Sequence, residues 1–93
     1  MKPRGFFISN GVHRAVASRE AGRKTIPAVI YREGRKPEFR PRMRLDQLYS
    51  PKRSVDAVDI TNIVPPIVVK IEVEPLGSRG QQSSVPLKDV VLE

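Results

Sequence analysis

Ile26-Pro27-Ala28-Val29-Ile30-Tyr31 and, after one short polar loop, Phe39-Arg40-Pro41-Arg42-Met43-Arg44-Leu45 are the stretches on which the fold turns. The first is a short apolar run closed by Arg32-Glu33-Gly34-Arg35, where Gly34 supplies a residue tolerant of positive φ. It reads as a strand and a turn. The second alternates strictly, with Phe39, Pro41, Met43 and Leu45 on one face and Arg40, Arg42 and Arg44 on the other. Neither Pro27 nor Pro41 can donate to a ladder, which places both near strand ends or at a sheet edge.

Outward from this hairpin, residues 67–74 form the clearest further strand: Ile67, Val69, Ile71 and Val73 point one way, and Lys70, Glu72 and Glu74 the other. It stops at Pro75 and Leu76. The polar segment 77–84 then reads as a hairpin loop leading into a strand over 85–92. Ser9 or Asn10 caps a helical turn through Val12, Val16 and Ala17 that ends at Gly22, and Leu45-Asp46-Gln47-Leu48-Tyr49 forms one turn before Pro51. Segment 54–64 fits neither the helical nor the strand period and takes no assignment. Nine prolines and six glycines keep every element short. The expectation is a β-rich (α+β) domain spanning 1–93, a small closed or partly open β-barrel with one or two short helices.

Composition removes several function classes. The 93 residues contain no Cys and one His, so there is neither a disulfide framework nor a thiolate site, and His13 alone cannot build a histidine metal centre. Asp56 and Asp59 read as cap or surface residues rather than as an acid–base or metal pair. A glycine-rich phosphate loop and a serine elbow are both absent, so the sequence predicts a protein that is not an enzyme, with no cofactor and no small-molecule substrate. The apolar stretch 63–69 is far shorter than the roughly 20 residues of a spanning helix and is broken by two prolines, so no membrane partner is expected.

Charge is segregated along the chain. Residues 1–44 hold twelve Lys and Arg against three Glu, whereas residues 45–93 hold five basic against seven acidic side chains. A surface charged for solubility intersperses its signs; a basic half at pI near 10.4 points to a polyanionic partner. Residues 1–10 belong either to a basic arm or to a retained transit-like segment, because Lys2, Arg4 and Arg14 precede the first acidic residue, Glu20. Residues 11–93 then form the β-barrel domain that is expected to meet the polyanion.

Two basic groups are candidates for phosphate contact. Arg40, Arg42 and Arg44 would stand roughly 6.6 Å apart on one side of a strand, near the spacing of successive phosphates. Edge strands also carry outward charges to prevent association, but that reading expects mixed signs. Arg14, Arg19, Arg23 and Lys24 form the second group, with only Glu20 at hand to pair. The competing reading is a solvated helix face. Tyr31 either stacks on a base or sits at the core rim.

The run Gly11-Val12-His13-Arg14-Ala15-Val16-Ala17-Ser18-Arg19-Glu20-Ala21-Gly22-Arg23-Lys24-Thr25-Ile26-Pro27-Ala28-Val29-Ile30-Tyr31 resembles the signature of the bacterial large-subunit ribosomal protein twenty-five family, related to the general stress protein CTC. Arg35-Lys36-Pro37, the strand after it, Asp46-Gln47-Leu48 and Val85-Pro86-Leu87-Lys88-Asp89-Val90 are similar to later parts of that pattern. Glu20 and Ala21 stand where the family shows Leu and Arg, Arg32 replaces Gly, and Val91-Leu92-Glu93 stand where the family continues with Gln, Arg, His and Pro. The expectation is thus a divergent, C-terminally short version of the pattern.

The resemblance implies a six-stranded β-barrel bound to 5S ribosomal RNA, with Arg14, Ser18 and Arg19 in an RNA-facing loop and Tyr31 at its rim. Together with Arg23, Lys24, Arg32, Arg40, Arg42 and Arg44 these make up the expected RNA-binding set. The expected role is a structural component of the large ribosomal subunit, beside neighbouring subunit proteins and supporting translation. A mitochondrial matrix setting is preferred to a bacterial cytoplasm. Two alternatives stand: a small basic DNA-binding regulator, for which no recognition helix is visible, and a protein–protein module using the acidic half.

Overall fold

Strands β2 (Thr25–Ile30) and β3 (Glu38–Arg44), each set one residue earlier than expected, form the anticipated antiparallel hairpin in the computed structural model, which describes residues 5–61, 70–77, 81 and 83–93. Their register is interrupted. Ala28 pairs with Arg40 and Ile26 with Met43, so two residues of β3 oppose the single residue Pro27. That is a β-bulge, placed where β2 has no N–H to offer its neighbour. Because side chains alternate with period two, the extra residue reverses the phase of β3. Arg40 shares the face of Ala28, and Arg44 the face of Thr25. The expected single face of three arginines is therefore corrected: the bulge divides it.

The hairpin is one end of a six-stranded mixed sheet ordered β3-β2-β6-β1-β4-β7, which does not close into a barrel. Its remaining strands are β1 (Phe6–Asn10), β4 (Leu48–Ser50), β6 (Ile71–Pro75) and β7 (Val85–Pro86). β6 runs parallel to β2 and antiparallel to β1, and β1 runs parallel to β4. In β6 the predicted alternation holds, with Ile71 and Val73 buried and Glu72 and Glu74 turned the other way. The part of that expected strand at 67–69 lies outside the described residues.

β1 replaces most of the expected N-terminal arm. Phe6, Phe7 and Ile8 give residues 6–10 enough apolar surface to take an interior place between β6 and β4, so the arm reading fails there. Residues 1–4 lie outside the described part.

Helix α1 (Val12–Glu20) covers one face of the sheet. Val12, Ala15 and Val16 are buried at helical spacing against a core that includes Ile8, Ala28, Ile30, Ile71 and Val73. The chain enters the helix through Gly11, not through a Ser9 or Asn10 cap. Gly11 has φ 104°, and a Cβ there would stand 2.7 Å from the Ile71 side chain, so both backbone and space demand glycine. The helix closes as expected before Gly22, at φ 78°, with Arg23 donating its N–H to the Ser18 carbonyl.

The segment after β3 is only half helical: a 3-10 turn, Leu45–Gln47, passes directly into β4, where Leu48 and Ser50 are buried. The expected strand over 85–92 is likewise divided. Pro86 ends β7, a 3-10 turn spans Leu87–Asp89, and β8 (Val91–Leu92) pairs in parallel with β5 (Ser54–Val55) in a separate two-stranded sheet. The unassigned segment 54–64 contains β5 and a short helix α2 (Ala57–Thr61), and the Asp56 carboxylate caps α2 by accepting from the Val58 N–H at 2.8 Å. Its residues 62–64 lie outside the described part, as do 78–80 and 82 of the 77–84 loop.

Candidate nucleic-acid interface

The link between α1 and β2 runs along the end of β3. Thr25 pairs with Arg44, and the Leu45 N–H donates to the Lys24 carbonyl at 3.0 Å. Arg23, Lys24, Arg42 and Arg44, drawn from both predicted basic groups, are thereby gathered at the base of the hairpin, all exposed. Asp46 pairs with Arg44 through its carboxylate. Arg23, Lys24 and Arg42 have no ion-pair partner among the described residues. Four cations against one carboxylate make a corner that attracts an anion through Coulomb terms and, from arginine, through paired N–H donors.

At the other end of the hairpin the charges are internally matched. Glu38 accepts from Arg32 at 2.9 Å and from Arg40 through its second oxygen. The Arg40 hydrogen bond first, and the Arg32 hydrogen bond next, hold the Glu38 carboxyl below its usual range. Arg32 and Arg40 are thus partly neutralised, whereas Arg35 and Lys36 in the loop are exposed and carry charge that the candidate set left out.

The helical candidates serve the framework. One Arg19 nitrogen, Nη1, donates to the carbonyls of Leu87 and Val90, both at 2.7 Å, tying α1 to the C-terminal 3-10 turn. Arg14 donates to the Lys70 carbonyl at 3.2 Å, and Ser18 is half-buried on the same helix. These three residues lie on a helix, where the resemblance implied a loop. His13 lies 3.7 Å from Asp59.

Tyr31 sits just beyond β2 at the sheet rim, exposed, with its hydroxyl 3.4 Å from a Glu72 oxygen. Phe39, expected to face inward with Met43, is exposed instead, because the bulge separates their phases. Lys70 Nζ stands 5.8 Å from the centre of its ring. Pairing register alone could have revealed this, and the sequence does not print it.

No group of three or more His, Cys, Asp or Glu able to hold a metal occurs among the described residues, and no helix there is long and apolar enough to cross a membrane. Fold and corner together define a small basic α+β domain with one six-stranded mixed sheet. The chain matches no protein-family model, no curated protein and no solved structure.

Proposed function

We propose that this chain is a non-catalytic RNA-binding protein that holds RNA phosphates at the corner formed by Arg23, Lys24, Arg42 and Arg44. The supporting observation is the convergence of these cations, separated in sequence, on one end of the hairpin with Asp46 as their counter-charge. Binding of this kind relies on counterion release and on shape, with little reading of bases. The narrower form of the proposal is a structural component of the large ribosomal subunit with 5S ribosomal RNA as partner. The sequence resemblance to the ribosomal protein twenty-five family supports it. A mitochondrial ribosome is the setting that best accommodates the departures from that pattern.

The test is fluorescence anisotropy with 5S ribosomal RNA across a salt series. The double variant Arg23→Glu/Arg42→Glu is expected to weaken binding and to lower the slope of log K against log salt by about one per cation removed. Unchanged affinity and slope would refute the corner. The ribosomal assignment is checked separately, by whether the tagged chain sediments with large-subunit particles; sedimentation only as free protein would overturn it.

A further inference from the structure

The sheet face turned away from α1 carries two exposed aromatic rings, Phe39 at 55% and Tyr31 at 41% exposure. Phe39 pairs with Val29, and Val29 pairs with Glu72 on β6, so all three side chains share that face. Tyr31, two residues after Val29, returns to the same face and reaches Glu72 through its hydroxyl. In this arrangement Phe39 and Tyr31 are diagonal neighbours across adjacent strands, with Cβ atoms roughly 7 Å apart. The Asn10 amide donates to the second Glu72 oxygen at 3.3 Å, and Lys70 lies over the Phe39 ring.

Positive charge flanks this face at both ends of the hairpin, with Arg35 and Lys36 near its loop and Arg42 and Arg44 near its base. The seven residues of β3 span about 20 Å, the reach of roughly three or four nucleotides of extended chain. A duplex keeps its bases stacked on one another and has no use for protein rings. An unpaired strand exposes base faces, and aromatic side chains on a sheet take them up.

We infer that this face is a stacking platform for single-stranded RNA, in which Phe39 and Tyr31 each cover one unpaired base. Glu72 accepts from a base amino or imino group, the Asn10 amide meets a base edge, and phosphates pass Lys70 toward Arg44. This rests on the RNA-binding reading above and narrows its target to an unpaired segment.

The chain contains no Trp, so Phe39→Trp installs a single indole reporter at the platform. The probes are a ten-nucleotide RNA of mixed sequence and the same sequence annealed to its complement. The single strand is expected to quench the indole and the duplex to leave it unchanged. Phe39→Ala/Tyr31→Ala is expected to lower single-strand affinity about tenfold or more at an unaltered salt slope, with duplex affinity retained. Both positions are exposed, and the Trp variant preserves an aromatic ring should the alanine pair disturb the fold.

An unquenched indole, together with wild-type affinity in the alanine pair, overturns the platform. If Arg23→Glu/Arg42→Glu still weakens binding in that case, RNA binding stands and the rings serve some other contact. A wild-type chain that binds neither probe nor 5S ribosomal RNA overturns both readings.

Discussion

Arg19 shows how little a residue's type says about its role. In the sequence it stands with Arg23 and Lys24 as one basic cluster, yet its guanidinium reaches carbonyls 68 and 71 residues away and satisfies the turn that Pro86 and Leu87 begin. Hydrogen bonds from a charged donor to partly buried carbonyls each contribute about 1.5–3 kcal/mol. Arg19→Ala removes both and is expected to cost about 3 kcal/mol, the lower end of that sum, lowering the thermal midpoint by roughly 12–24 °C for a domain of this size. Below that midpoint its RNA affinity should match the wild type. A large affinity loss with unchanged stability would return Arg19 to the interface. Arg23, Lys24, Arg42 and Arg44 were legible as candidates because exposed cations need only be present. The tie that Arg19 makes to the C-terminal turn was not legible, because its partners lie on a segment no local pattern connects to it.

The hairpin of β2 and β3 was readable as an element and misread in its faces. Composition announces two strands and a glycine turn, but phase depends on which residues pair, and Pro27 imposes a bulge that strict alternation cannot foresee. Glu38 gives the hairpin a pH response. Its carboxyl is held low in the folded chain, so the folded state binds fewer protons there than the unfolded state through the ordinary carboxylate range. Its contribution is present above that range and is lost as pH falls through it toward the lowered folded value. The carboxylate is partly open to solvent, which screens the interaction, so the effect is small and local. NMR of the side-chain carboxyl should show Glu38 titrating below the ordinary glutamate range, and Glu38→Gln should remove the acid-dependent change at Arg32 and Arg40. An ordinary titration for Glu38 would contradict the pairing.

At the scale of the molecule, β6 is the element on which cohesion depends. It lies between β2 and β1 and is the sole sheet connection between the hairpin and the β1–β4–β7 half among the described residues. Ile71 is fully buried on it and also abuts Gly11 at the entrance to α1. Ile71→Ala is expected to cost about 2–5 kcal/mol and to lower the urea midpoint of one cooperative transition seen alike by fluorescence of Tyr31 and Tyr49 and by far-ultraviolet circular dichroism. Separate transitions for the two halves would show that β6 does not join them. Sequence alone determined the two hairpin strands, the buried helical positions Val12 and Val16, the glycine Gly22 that closes α1 and the basic character of the first half. These follow from periodicity, φ preferences and charge, which act over a few residues. Tertiary structure alone decided that residues 6–10 enter the sheet, that β6 inserts between β1 and β2, that a bulge splits the arginines, and that Arg19 turns inward. Those outcomes depend on which distant faces bury one another, and that free energy is settled between segments tens of residues apart, beyond the reach of any local pattern.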